Sequence, residues 1–373
     1  MRRLSVLVDA TSVPPNRGGV ARYVSGLLQG LDELGASVDV VAKPSDLDWL
    51  RDLAPAHRYH EAPRWLVRRP LRLLWEQVGL PALALRRGSR RVLSPHYTFP
   101  LVLSRRCVVT LHDATFFSDP EAHGRLKRTF FRAWTRAARS AAAGTVAPSA
   151  ATAAELDRFV GRRAPTHVAH LGVDAATFRV PGHDEVASFS SHHALDPERG
   201  WIAFLGTIEP RKRVGELIAA HRSLGQERPV PPLLVAGGPG WDDDAVAQLR
   251  DAGDRAGADL RYLGYLPLGE LAAFLGGATV VAYPSVGEGF GLPVLEGMAC
   301  GAPVLTTPRT ALAEVGGDAV AYTEPDASSI RRDLGALLDD DERRAALAAA
   351  GRARAAEFTW AACARAHLPL VAA

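Results

Sequence analysis

Two stretches in the second half of the chain put charge and glycine where a phosphorylated ligand could be held. Gly206-Thr207-Ile208-Glu209-Pro210-Arg211-Lys212 follows the apolar run Trp201 to Leu205, so adjacent cations stand at the carboxyl end of an expected strand. Such a placement is costly unless an anion compensates it. Arg offers a planar fork to phosphate oxygens and Lys a compact point charge, a pair suited to a departing diphosphate. A lone Arg-Lys pair is more often a solvated basic turn. Here the strand end and the Gly/Pro loop favour the anion. Gly287-Glu288-Gly289-Phe290-Gly291-Leu292-Pro293-Val294-Leu295-Glu296-Gly297 likewise follows an apolar run, Thr279 to Tyr283. Its alternate glycines let backbone amides approach a ligand, and Pro293 suits the first turn of a helix whose amino end attracts phosphate. Glu288 in the loop can reach a polar sugar ring, and Glu296 within the helix can accept from a pair of ribose hydroxyls. The plainer reading of Glu296, an acid near a helix start worth about 0.3–1 kcal/mol, does not account for the glycines.

The first half offers two further groups. Arg17-Gly18-Gly19-Val20 opens a helical pattern with Arg22 and Tyr23 just inside it, so its amides form a possible anion cradle; an ordinary strand-to-helix turn is the alternative. His112-Asp113 follows Cys107 to Leu111. His112 can donate to a sugar hydroxyl, act as a base or simply satisfy its loop, with Asp113 available to orient it. Asp242-Asp243-Asp244 mimics a divalent-metal motif, but it sits between Gly238-Pro239-Gly240 and a helical pattern, where acids serve as caps and first-turn charges. Asp339-Asp340-Asp341 reads the same way, and no residue is assigned to a metal.

These groups need strands to carry them. Leu4–Val8, Val38–Val41, Arg91–Leu93, Cys107–Leu111 and Gly144–Ala147 read as buried parallel strands separated by helices. A second series runs Trp201–Leu205, Leu233–Ala236, Leu260–Leu263, Thr279–Tyr283 and Pro303–Thr306. The aperiodic stretch 181–200 reads as a connection. The expected architecture is α/β, with two doubly wound Rossmann-like domains facing a cleft: 1–180, 181–357, and a final segment 358–373 crossing back to the first.

Composition narrows the classes. The net charge of +3 conceals a split, with 27 Lys and Arg against 15 Asp and Glu in residues 1–180 and 17 against 26 in the remainder. The basic half is expected to face something anionic: a membrane, nucleic acid or a phosphorylated acceptor. Nucleic acid is not expected, because stacking aromatics and recognition-helix signatures are missing from the pattern. The segment from Arg64 to Trp75 mixes cations with aromatic and aliphatic residues as an interfacial segment would, although Pro70 is expected to interrupt it and a surface helix packed on its own domain is the alternative. No run reaches the ~18 apolar residues of a membrane span. Cys107, Cys300 and Cys363 are odd in number and widely spaced, which fits a reducing compartment.

Taken together, GTIEPRK at 206–212, Glu288 with Glu296 seven residues apart inside GEGFGLPVLEGMACGAPV, the Gly18-Gly19 loop, His112-Asp113, Ser149 and Gly172-Val173-Asp174 resemble the retaining glycosyltransferases of family 4, with GT-B architecture. Trp75-Glu76-Gln77 and Ser94-Pro95-His96-Tyr97 are most similar to the mannosyltransferase-B-like branch, which serves bacterial surface polysaccharides or glycolipids. Arg213, where the family usually has Asn, and Leu171, where many members have Asn, depart from the pattern. The resemblance implies transfer of a hexose from a nucleotide-diphosphate sugar to an acceptor hydroxyl, with retention and without an obligatory metal or other cofactor. GDP-mannose is the first expectation and UDP-sugars the second. Glu288, His112, Arg211 and Lys212 would be catalytic. Gly18, Gly19, Gly206, Gly289, Phe290, Gly291, Leu292 and Glu296 would bind the donor, while the acceptor-binding residues are not assigned. The implied acceptor is a glycan, a glycolipid or a small molecule, and the implied location is the cytoplasm, at the inner face of the cell membrane. The alternatives are a nucleotide-sugar epimerase of the same fold and a catalytically silent nucleotide-sugar-binding partner.

Overall fold

The computed structural model describes residues 2–14, 18–120, 124–161, 165–196, 198–255 and 257–372. The chain forms two compact units, Met1–Gly172 joined by Phe358–Ala373, and Val173–Glu357. The first unit is built on seven strands, β1 (Arg2–Asp9), β2 (Ala36–Ala42), β3 (Arg58–Glu61), β4 (Arg91–Ser94), β5 (Cys107–Thr110), β6 (Gly144–Ala147) and β7 (Thr166–Val168), in the order β3-β2-β1-β4-β5-β6-β7. The second has six, β8 (Ile202–Leu205), β9 (Leu233–Ala236), β10 (Leu260–Gly264), β11 (Val280–Tyr283), β12 (Val304–Thr306) and β13 (Ala321–Tyr322), ordered β10-β9-β8-β11-β12-β13. All the pairings of the second sheet are parallel, with Val280 against Ile202 and Val281 against Ala203 at its centre. Short runs such as Leu233–Ala236 are buried on both faces because helices cover both, which is why they read as continuous apolar segments. Strand order reverses between β1 and β4 and between β8 and β11, the positions at which such sheets hold ligands beyond their carboxyl ends.

The expected strands are present with ends shifted by no more than two residues, and β3, β7 and β13 are additional. All three lie at sheet edges and are short, and the Arg-Tyr-His-Glu of β3 carries no apolar run to betray it. The expected boundary at 180/181 lies eight residues past the observed one at 172/173, because Val180 and Pro181 pack on Gly301 and Gly276 of the second unit. Residues 183–192 of the presumed connection form a helix, His183–His192, started by the Glu185 carboxylate accepting from the Gly182 amide at 2.7 Å. Phe189 anchors that helix beside Trp201 and Phe274.

No continuous helix runs through the segment Arg64 to Trp75: a short turn, Arg64–Val67, ends at the extended Arg68, and the helix Arg69–Arg87 starts there with Pro70 in its first turn. The final helix, Trp360–Val371, packs on Gly19–Glu33. Its Trp360 fills a notch in which a Cβ at Gly26 would lie 2.0 Å from the indole and one at Gly30 would lie 2.1 Å from the Trp360 carbonyl oxygen. Any side chain at either glycine would push the helix away.

Candidate active site

In the second unit, the two glycine-rich loops follow β8 and β11, the adjacent central strands. Gly206 has φ +156, and a Cβ there would come within 3.0 Å of the Lys212 ammonium, so a missing side chain makes room for the cation. Gly237 closes in from the neighbouring loop, where an added Cβ would lie 2.1 Å from the Gly206 carbonyl oxygen. Pro210–Lys212 form one tight helical turn that turns Arg211 and Lys212 back toward the second loop.

There Arg211 donates from Nε to Glu209 at 2.7 Å and from Nη1 to the Gly287 carbonyl at 2.5 Å, and Nη1 also lies 2.5 Å from Glu288 Oε1. The same Glu288 oxygen accepts from the Tyr283 hydroxyl at 2.7 Å and the Ser285 hydroxyl at 3.1 Å. The Glu288 amide donates to Thr310 Oγ1 at 3.1 Å, and Thr310 holds φ +51, a left-handed conformation unusual for a β-branched residue. Burial alone would raise the Glu288 pKa, but Arg211 and then Lys212 more than offset this and hold it below the usual carboxylate range. Tyr283 is pushed well up by burial and by Glu288, so it stays a neutral donor.

Lys212 differs from Arg211 in having no carboxylate partner at ion-pair distance among the described residues. It is 7% exposed, its ammonium lies 6.0 Å from the centre of the Tyr283 ring, and burial lowers its pKa against the opposing pull of Glu288 and Glu209. Arg211 therefore spends much of its fork ordering Glu288, while Lys212 presents the less compensated charge. Arg213 adopts φ +55 and pairs with Glu216 at 2.9 Å, so this extra cation belongs to the start of the helix Val214–Glu227.

Gly291 caps the helix Leu292–Ala299 at φ +103, where a Cβ would strike Leu312 at 2.6 Å. A side chain is excluded there both by conformation and by space. Leu292 is half-buried, Glu296 is buried in the helix and Phe290 is 4% exposed. Gly289 is half-buried in the loop. The aspartate runs serve the helices. Asp242 accepts from the Ala245 amide at 3.2 Å and Asp340 from the Arg343 amide at 2.8 Å, while Asp339 pairs with Arg228.

In the first unit, Gly18 caps the helix Gly19–Glu33, and a Cβ on Gly19 would meet nothing within 4 Å among the described residues. Arg17 lies outside the described residues. His112 donates from Nε2 to the Pro95 carbonyl at 2.7 Å, which leaves Nδ1 with a lone pair when the ring is neutral. Burial lowers its pKa, against the pull of the Pro95 bond and Asp113. Asp113 does not orient the ring as expected. Its carboxylate accepts from the Thr115 amide at 2.9 Å and the Thr115 hydroxyl at 2.6 Å, and an Asx turn has taken the group the imidazole would have used.

Behind His112 lies a hydrogen-bond chain that spacing in the sequence does not disclose. The His367 Nδ1–H donates to the Cys363 carbonyl, so Nε2 accepts from the Tyr23 hydroxyl at 2.8 Å, and Thr110 donates to Tyr23 at 2.8 Å. The Tyr23 ring meets His112 edge-on at 5.0 Å. Ser149 caps the helix Ala150–Val160 by accepting from the Thr152 amide at 3.0 Å. The three cysteines are buried and unpaired.

Two family models cover most of the chain, Glycosyltransferase Family 4 over residues 17–177 and Glycosyl transferases group 1 over residues 187–354. The chain is 33% identical over 271 residues to the O-antigen chain mannosyltransferase B of Escherichia coli, an alignment spanning 72% of this chain and 70% of that protein. It is 30% identical over 398 aligned positions to the D-inositol 3-phosphate glycosyltransferase of Frankia alni, covering 93% and 92% of the two chains. The crystal structure of Anabaena HepE in complex with UDP and glucose matches with a TM-score of 0.74 at 18% identity, over 98% of each chain. The two reversed parallel sheets, the loops that follow their central strands and these similarities establish that the chain belongs to the family 4 glycosyltransferases of GT-B fold.

Proposed function

We propose that the chain transfers a hexose, mannose in the first instance, from a nucleotide-diphosphate sugar to an acceptor hydroxyl with retention of anomeric configuration and without an obligatory metal. The observation that carries this reading is Lys212, a buried ammonium without a carboxylate at ion-pair distance among the described residues, beside Arg211 at the carboxyl end of β8. A buried cation left short of compensation is a place for an anion, and a diphosphate gaining negative charge as it departs is stabilised most where water is excluded. The amides that open the helix Leu292–Ala299 would add to it, and Glu296 would accept from the ribose hydroxyls. Glu288, ionised and held by Arg211, Tyr283 and Ser285, would grip sugar hydroxyls near the anomeric carbon. His112 would accept a hydrogen bond from a sugar hydroxyl at Nδ1.

In the proposed front-face step the anomeric carbon–phosphate oxygen bond breaks, and the acceptor oxygen bonds to the same face. The acceptor's proton passes to the departing phosphate oxygen, so no side-chain nucleophile is needed. The name of the Escherichia coli relative favours mannose and a surface-polysaccharide acceptor. The Frankia alni relative's name supports a small phosphorylated acceptor as the second reading. Contact with an anionic membrane is supported by Leu74, Val78 and Leu85, each more than half exposed on a helix of the basic first unit. No described helix is long and apolar enough to cross a membrane. Work at the inner face of the cell membrane follows from this reading. Flotation with anionic but not neutral liposomes is its expected mark, and equal behaviour with both would remove it.

The function is tested by incubating the protein with GDP-mannose or UDP-glucose in chelator, with and without a mannosyl acceptor. Acceptor-dependent release of nucleotide and an α-linked product are expected. Release of a changed sugar nucleotide without acceptor would indicate an epimerase, and donor binding without turnover would indicate a silent partner.

A further inference from the structure

We propose that His192, His193 and Glu270 form a binding site for a divalent transition-metal ion of the zinc class. His193 Nε2 lies 3.0 Å from Glu270 Oε2 and His192 Nδ1 lies 3.5 Å from Glu270 Oε1, so each imidazole faces its own carboxylate oxygen. Among the described residues these are the one group of three such side chains whose ligand atoms come within 4.8 Å of one another. Zinc bonds of about 2.0–2.2 Å to nitrogen and oxygen set tetrahedral neighbours about 3.4 Å apart. Both nitrogen–oxygen separations are close to that figure. The nitrogen–nitrogen gap closes by rotation of His192, whose side chain is 68% exposed.

Two imidazoles with a single carboxylate suit zinc, nickel or cobalt, whereas magnesium and calcium prefer oxygen sets. The three ligands leave one position to water, and the exposed His192 side provides the entry. For the ion to bind, the imidazole protons now facing the carboxylate shift to the opposite ring nitrogens, and neutral rings present their lone pairs.

The scaffold is already in place. His192 ends one helix, His193 caps it, and Glu270 stands in the first turn of the helix Leu268–Gly276. The His193 ring lies 4.4 Å from Phe189, and its carbonyl accepts from Arg261 of β10, the edge strand, at 2.5 Å. The phosphate loops follow the central strands β8 and β11 instead. The ion would therefore tie two helices of the second unit together and take no part in sugar transfer.

The test uses the full-length chain without an affinity tag, stripped with chelator and titrated with Zn²⁺, Co²⁺ and Mg²⁺ by calorimetry and by the visible absorption of bound Co²⁺. One Zn²⁺ per chain at micromolar affinity or better is expected, with the Co²⁺ spectrum of a four-coordinate site and no Mg²⁺ binding. His192→Ala and Glu270→Gln should each weaken Zn²⁺ by about tenfold or more. His183→Ala, which alters an exposed histidine at the other end of the same helix, should change nothing. No Zn²⁺ binding at roughly 100 µM, or binding indifferent to His192→Ala and Glu270→Gln, would overturn the assignment.

Discussion

The two units use one sheet topology to hold opposite kinds of chemistry. The loops after β8 and β11 bury Glu209, Arg211, Lys212 and Glu288 together, each side chain no more than 18% exposed. The corresponding surroundings of His112 are less charged, with Asp113 the acid that pulls on it: a carbonyl fixes its Nε2, Tyr23 packs on its edge, and the nearby His96 is pushed down to about 3 by burial. The difference teaches which unit must pay for charge and can therefore repay it in a transition state. A charged group stripped of water answers strongly to new charge nearby, whereas a neutral imidazole contributes an ordinary hydrogen bond.

The contrast can be broken most directly at Lys212. Replacing it with Ala should lower kcat about 10²- to 10³-fold, as removal of one charge-stabilising donor does, while leaving the protein folded. Comparable rates in steady-state assays would mean that the diphosphate is held elsewhere. The next largest effect is on stability. Glu288→Ala leaves the Arg211 guanidinium, which is 18% exposed in the side chain, paired with Glu209 but without its second carboxylate, and should destabilise the second unit by about 1–3 kcal/mol in denaturant unfolding. In the wild type, because the folded pKa of Glu288 is depressed, its contribution is complete above the ordinary carboxylate pKa and fades only as pH falls through the lower folded value.

His112→Ala should cost only about tenfold in kcat/KM, the worth of one neutral hydrogen bond. A loss as large as that of Lys212→Ala would show that the imidazole does more than position the sugar. The smallest effect sharpens the picture of the first unit. Glu76 is fully buried, and burial raises its pKa to about 7 despite Arg72 at 2.8 Å. Its folded pKa is raised, so its contribution is complete below the unfolded value and is lost as pH climbs through about 7. Glu76→Gln should flatten that decline, a slope of at most about 1.4 kcal/mol per pH unit, in unfolding curves taken between pH 5 and 8.

Much of the site was legible because its residues are contiguous. Arg211 and Lys212 stand beside a glycine at a strand end, and Glu288 lies in a glycine string, so local chemistry sufficed to mark them. Tyr283 and Ser285 went unmarked, although only five and three residues before Glu288, because the path of the loop after β11 decides which hydroxyls turn back on the carboxylate, and Thr310 because its bond depends on the loop after β12 lying beside that one. Asp113 was misread for the opposite reason: adjacency to His112 suggested a partnership, but Thr115, two residues on, offers its carboxylate two donors in an Asx turn. For the fold, buried central strands such as Gly144–Ala147 announced themselves by apolar runs. The edge strands and the helix His183–His192 rest on tertiary contacts and a capping carboxylate instead.

The central claim is that the second unit holds a diphosphate through Lys212, assisted by Arg211. The direct test is calorimetric titration of the wild type and Lys212→Met with GDP, GMP, UDP and UMP. For the preferred base, the diphosphate should bind the wild type about tenfold or more tighter than the monophosphate, and this gap should shrink in the variant. Glu296→Ala should weaken both nucleotides equally. Equal affinities for diphosphate and monophosphate in the wild type, or a gap undiminished in Lys212→Met, would contradict it.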